Sequence, residues 1–292
     1  MQKLTIRQKL GLLLLVPIVS ALISLWQIAP VALDQLSRAR SLEMGIRIAT
    51  ASTTLTYQLQ AERAAAAGLI SAAENRSVHR NRYVLTQETA DKALDSFVTL
   101  LADAQRDEQL AEGVKRLLAA KVKIIDNLKV IREKVFGSDS SMTFMLAAYG
   151  DIVDELTIGA SALSAVSSKG SIAVTRQILD NLMIANENLG IERALGSALI
   201  NEDGANMRMR EQMIVSARFQ DRFYALFEAQ VGDVENRLIQ IHLTKDATDA
   251  YHEKRNGLIE ASRTPGQTFI SSEDWWSLTG ARADAFQTMV SS

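Results

Sequence analysis

The sequence predicts an all-α protein, arranged as two stacked or shared four-helix bundles preceded by an N-terminal transmembrane helix. Three observations carry that expectation. Apolar residues recur at spacings of three and four along most of the chain, and period-two alternation never lasts. Only three prolines occur, Pro17, Pro30 and Pro265, in a chain rich in Ala and Leu with 5% aromatic residues, a composition that favours long helices. Finally, one stretch occurs twice: Leu59-Gln-Ala-Glu62-Arg63-Ala-Ala-Ala-Ala-Gly-Leu69-Ile70 returns 130 positions later as Leu189-Gly-Ile-Glu192-Arg193-Ala-Leu-Gly-Ser-Ala-Leu199-Ile200. An internal repeat of this kind marks two structurally equivalent halves.

Taken in order, the chain opens with Lys3, Arg7 and Lys9, followed by a run without charge between Leu10 and Leu33. That run is long enough to span a bilayer as a helix, and Trp26 lies near its far end, where aromatics favour the interface. The positive flank predicts a cytoplasmic N-terminus at residues 1–9, a span at 10–30 and an extracytoplasmic domain at 31–292, anchored in the inner membrane with its sensor part periplasmic. The domain divides into halves at about residues 31–168 and 170–292. Helical periodicity gives one long helix over residues 31–73, then others over 78–104, 107–135, 140–168, 170–201, 205–231 and 234–261. Glu74-Asn-Arg-Ser77, Gly137-Ser138-Asp139 and Glu202-Asp203-Gly204 read as turns, with Ser140 as a helix cap. Ser262-Arg-Thr-Pro265-Gly266 is the strongest break, and Ser272-Glu-Asp-Trp275-Trp276 starts a last helix with acids in its first turn.

Composition excludes several classes. Cysteine is absent, which removes disulfides, thiolate metal sites and a cysteine nucleophile. The net charge is −2, and the first thirty residues hold +3 with no acid, so the remainder is −5 and argues against nucleic-acid binding. No phosphate loop, nucleophile elbow or acid–base constellation is present, which points away from an enzyme. His242 and Asp246 have i, i+4 spacing, but two ligands make no closed metal site, so neither metal nor cofactor is expected.

The repeated pair is the candidate site. Glu62 and Arg63 fall along or beside the apolar stripe Leu55, Leu59, Ala66, Leu69, and Glu192 and Arg193 do so beside Leu182, Ala185, Leu189, Leu199. Small neighbours let another helix approach each arginine. Two arginines brought to about 7 Å repel by roughly 2–3 kcal/mol at an effective dielectric near 20, and an anion between them turns that repulsion into attraction. Guanidinium suits a planar oxyanion because its fixed donors meet two oxygens at once. Arg255, on the stripe Ala247, Tyr251, Leu258, is the third candidate ligand; Arg237 ranks below it. Glu62 and Glu192 read as supporting ion-pair partners, and Trp275 and Trp276 as packing residues of the last helix or residues of a membrane interface.

On the N-terminal span, the two Glu-Arg helices with their separation, the all-helical exterior and the late Trp-Trp segment, the chain resembles the NIT family, the nitrate- and nitrite-sensing domains of bacterial receptors. The resemblance covers residues 37–285 or so and implies two four-helix bundles outside the membrane, with nitrate or nitrite held by arginines between the motif helices. The matching arginines are Arg63 and Arg193; Ala64 stands where the family motif often has glycine or a second basic residue. The resemblance further implies output through a chemotaxis, kinase, cyclic-dinucleotide or antitermination module. A homodimer is expected, with the long helix from Val31 as contact surface. The alternatives are a helical sensor for another small anion or organic acid, and a ligand-free module for dimerisation or partner docking.

Overall fold

The computed structural model describes residues 6–105, 110–137, 140–164, 171–201, 206–232, 241, 243–264 and 269–291; the side chains of residues 6–25, 27, 28, 111–113, 120, 122, 160–164, 171–176, 290 and 291 lie outside that description. Among the described residues all regular structure is helical, as the periodicity predicts. The elements are α1 (Ile6–Ser71), α2 (Arg76–Ala104), α3 (Ala111–Phe136), α4 (Met142–Ser164), α5 (Ser171–Asn201), α6 (Met207–Gln230), α7 (Lys245–Ala261) and α8 (Ser272–Ser291). The chain forms two compact units, Met1–Met44 and Gly45–Ser292. In the first unit, residues 29–40 of α1 are all exposed, including Val31, Leu33 and Leu36.

The boundaries follow local chemistry. α1 runs unbroken over 66 residues, so the helix expected from Val31 begins far earlier. Pro30 lies inside α1 without ending it. After α1, Asn75 turns the chain in the left-handed region, φ 52°, which Asn tolerates better than most residues. Ser141, rather than Ser140, caps α4: its Oγ accepts from the Phe144 N–H at 3.1 Å. α6 starts where the Asn206 side chain accepts from the Met209 N–H at 3.1 Å. Of the helix expected over residues 234–261, residues 234–240 and 242 lie outside the described residues; a helix starts at Lys245, where the Thr244 hydroxyl accepts from the Ala247 N–H at 3.3 Å and Asp246 sits in the first turn. Ser271, one residue ahead of the expected start, caps α8 through its Oγ and the Asp274 N–H at 3.0 Å.

Residues 10–30 form part of α1, but the side chains read as a membrane span lie mostly outside the described residues. Among the described residues no helix is long and apolar enough to cross a membrane. Arg237 and His242 also lie outside them, and among those described no group of three potential ligands could hold a metal.

Within the second unit, α3 packs on α4 and α2, α5 on α6 and α8, and α6 on α7. One apolar core joins Leu182, Ala185 and Leu189 of α5 to Tyr224 and Phe227 of α6, Tyr251 of α7, and Ala283 and Phe286 of α8. Each large side chain buried this way contributes about 1.5–3 kcal/mol. The two repeat-bearing helices meet directly. Gln60 and Arg63 of α1 bond Asn186 and Glu187 of α5, and further along Gly68 and Ser71 meet Asn201. Contacts advance in the same direction on both helices, so α1 and α5 run parallel along this seam.

Candidate functional site

Both Glu-Arg pairs are buried, because the apolar stripes on either side of them face inward. Glu62 is fully buried and fully engaged. The Arg132 guanidinium of α3 donates to its two oxygens at 2.8 and 2.9 Å, and the Tyr149 hydroxyl of α4 donates at 2.7 Å. Arg132 also donates to Asp91 of α2 at 2.8 Å. Burial works against the Arg132 charge, but these two carboxylates more than offset it and hold the guanidinium charged. Glu62 therefore ties α1 to α3 and α4.

Glu192 has a matching set. It is fully buried, the Tyr251 hydroxyl donates to its Oε2 at 2.7 Å, and Arg255 Nη1 lies 3.6 Å from the same oxygen. Oε1 is buried with no hydrogen-bond partner among the described residues. Burial pushes its carboxyl up to about 7, against the opposing pull of Arg255 and the Tyr251 hydrogen bond. Arg255 itself donates to both Asp221 oxygens, at 2.8 and 2.7 Å, and to Gln220 at 3.1 Å. The same 29 positions separate Glu62 from Asp91 and Glu192 from Asp221, so the repeat extends beyond the motif to an acid on the following helix.

The arginines of the motif are placed differently. Arg63 is 1% exposed, the side chain most deeply set among the charged cations of the seam. Its Nη1 donates to Glu187 Oε1 at 2.7 Å, while Gln60 Nε2 donates to Glu187 Oε2 at 2.7 Å. Nε and Nη2 of Arg63 are buried with no hydrogen-bond partner among the described residues. These two donors form the side-on edge of the guanidinium, whose parallel N–H bonds match two oxygens of one planar anion. Gly190 makes room for that edge: a Cβ there would lie 2.7 Å from Nη2.

Arg193 turns to α8. Its guanidinium carbon lies 3.8 Å from the centroid of the Trp276 ring, and Trp275 Nε1 donates to its backbone carbonyl at 3.1 Å. Arg193 has no ion pair among the described residues, and its Nε is buried without a partner. Burial lowers its guanidinium to about 10, with Tyr57 and Asp284 opposing the shift. A buried cation with no carboxylate in direct contact can still draw an anion to it.

A family model described as nitrate and nitrite sensing matches residues 54–292, most of the chain. The chain belongs to the NIT family. The NIT chain is also similar in fold to a solved structure titled "Structure of the NasR transcription antiterminator", with a TM-score of 0.70 and 18% sequence identity, over 90% of this chain and 71% of that one. No curated protein matches.

Within this NIT domain the structure brings Glu192 and Arg255 together, and Arg63 to α5, the helix carrying the second motif. Arg63 and Arg193 have different partners: a carboxylate and a glycine for one, an indole for the other. The sequence reading did not single out Glu187, Gln60, Arg132, Tyr149, Asp91 or Asp221. Two signals bear on them. Asn186-Glu187-Asn188 is a polar cluster inside an otherwise apolar-striped helix, and the Glu-to-Asp offset recurs in both halves. Trp276, read as a packing residue, serves as the ring beneath Arg193 and within 4.8 Å of Arg82.

Proposed function

We propose that this NIT domain is the sensing part of a bacterial signal-transduction protein and binds nitrate or nitrite on the side-on edge of Arg63, with Arg193 as the second cation of the α1–α5 region. The observation that carries the reading is the buried, unpartnered Nε and Nη2 pair of Arg63 in a family described by nitrate and nitrite sensing. Two buried N–H donors without acceptors cost about 1–3 kcal/mol each, which an oxyanion recovers while also offsetting the Arg193 charge. Arg255, whose Nη1 and Nη2 are engaged by Asp221 and Gln220 and which keeps only Nε without a partner among the described residues, enters as a support for Glu192 before it enters as a ligand.

Mechanistically, an anion drawn between α1 and α5 changes how the two parallel helices pack, and the shift is passed on through α1, whose helical hydrogen bonding is continuous from Ile6 to Ser71. The charge-free run behind Lys3, Arg7 and Lys9 supports an N-terminal anchor and an extracytoplasmic sensor. Two four-helix groups, one around Glu62 and one around Glu192, are supported by their parallel sets of partners: Arg132, Tyr149 and Asp91 in one, Arg255, Tyr251 and Asp221 in the other. A homodimer through the exposed part of α1 completes the proposal.

The test is thermal melting of the full chain in nitrate and in chloride at equal ionic strength. At a hundredfold excess over its dissociation constant, nitrate is expected to add about 2.7 kcal/mol. Arg63→Ala and Arg193→Ala each lose most of that gain while melting normally without ligand. If both variants unfold without ligand present, the arginines are structural and the sensing site lies elsewhere.

A further inference from the structure

The Arg63 site is not a bare cation. Glu187 of α5 already holds Nη1 at 2.7 Å, and Gln60 fixes the other carboxylate oxygen at 2.7 Å while its own carbonyl accepts from Asn186 at 3.2 Å. The carboxylate is therefore locked by two donors and only one-fifth exposed. Asp154 of α4 lies close enough to feel both charges: burial raises its carboxyl, Glu187 and Asp151 raise it further, and Arg63 opposes them. One buried guanidinium thus already holds a carboxylate on Nη1, and its side-on edge is left uncovered.

We propose that Glu187 is a specificity-determining residue whose resident charge restricts the Arg63 edge to singly charged planar anions. The inference rests on the reading of Arg63 as the anion site. An anion on the side-on edge sits about 5 Å from the Glu187 carboxylate, roughly two hydrogen-bond lengths across one guanidinium. Coulomb repulsion scales with the charge of the incoming ion, so a dianion meets twice the energy that nitrate does. Doubling an energy squares the factor in affinity. A penalty of tenfold on nitrate is then about a hundredfold on sulfate. The same acid orients the guanidinium, so nitrate keeps its site while more highly charged oxyanions are turned away.

Calorimetric titration of the full chain with sodium nitrate and with sodium sulfate separates the possibilities. Glu187→Gln retains an acceptor for Arg63, and the Gln60 and Asn186 amides can reverse together to meet it, bringing the unpartnered Asn186 Oδ1 onto Gln60, so the variant removes charge and keeps geometry. It is expected to bind nitrate roughly tenfold more tightly and sulfate roughly a hundredfold more tightly, moving the preference about tenfold toward sulfate. Asp154→Asn, at an exposed position, is expected to move the preference the same way by two- to threefold at low ionic strength. An unmoved preference in Glu187→Gln, or weaker nitrate binding, shows that the acid only positions Arg63 and overturns the proposal. Should that variant fail to fold, Asp154→Asn decides, and an unchanged preference there overturns it equally. Arg63→Ala run alongside keeps the failures distinct: nitrate binding unchanged in that variant sinks the anion site itself, whatever Glu187 does.

Discussion

Glu62 and Glu192 occupy matching places in the repeat, yet their hydrogen-bond partners differ in number. Glu62 accepts from Arg132 twice and from Tyr149 once, whereas Glu192 accepts from Tyr251 and keeps Oε1 unpartnered. Burial raises Glu192 to about 7 from an ordinary 4.5, so the folded chain binds this proton more readily than the unfolded one. Stability contributed here is therefore present below about 4.5 and declines as pH rises through about 7. The loss is on the order of 1–3 kcal/mol. Melting curves at intervals from about pH 5 to about pH 8 should show Glu192→Gln with a flatter profile than the wild type. Identical slopes would remove Glu192 as the titrating group. At Glu62 the expectation is different: Arg132→Ala strands a buried charge and costs about 3–5 kcal/mol in chemical denaturation. A loss below about 1 kcal/mol, the range of an exposed pair, means water reaches Glu62 and the tie between α1 and α3 is weak.

At the scale of helices, two glycines of α5 separate binding from folding. A Cβ at Gly190 meets the tip of Arg63 at 2.7 Å and Gln60 at 3.0–3.1 Å, both flexible side chains rather than backbone or a ring. Gly190→Ala should thus melt at least as high as the wild type, since alanine favours the helix by about 1 kcal/mol, yet lose the nitrate-dependent gain. A Cβ at Gly196 meets the Trp275 ring at 2.3–2.5 Å, and that ring is fully buried and hydrogen-bonded to the Arg193 carbonyl. Gly196→Ala should destabilise by about 1–3 kcal/mol or more, as overpacking does. Equal effects of the two substitutions on apo melting would contradict this division. The order of the helices from α1 to α8 was legible because apolar spacing reports the buried face directly. The start of α7 was not, because Val234, Leu238 and Ile241 continue the helical spacing toward Tyr251 and mask the Thr244 cap. The partners of the motif were legible only in outline. A repeat announces that Glu62 and Glu192 are equivalent, but which helix supplies Arg132 or Asp221 depends on packing that periodicity does not encode.

For the whole molecule, the repeat and the fold agree: α1 and α5 carry equal motifs and run side by side, and each motif glutamate is met by a tyrosine and an arginine from later helices. Burial of Arg63 was foreshadowed by its stripe of alanines, while its pairing with Glu187 was hidden because the two lie 124 positions apart. The membrane anchor proposed at residues 10–30 predicts a topology. A reporter fused after Ser292 should be active outside the cytoplasm, and cytoplasmic activity would contradict an extracytoplasmic sensor. The central proposal is that Arg63 holds the anion. Isothermal titration of the full chain with nitrate, wild type against Arg63→Ala, tests that claim most directly. The account predicts saturable binding in the wild type and at least a hundredfold weaker binding in the variant, the loss of about 2.7 kcal/mol that a buried charge-assisted pair represents. Nitrate bound with equal affinity by both proteins would contradict it.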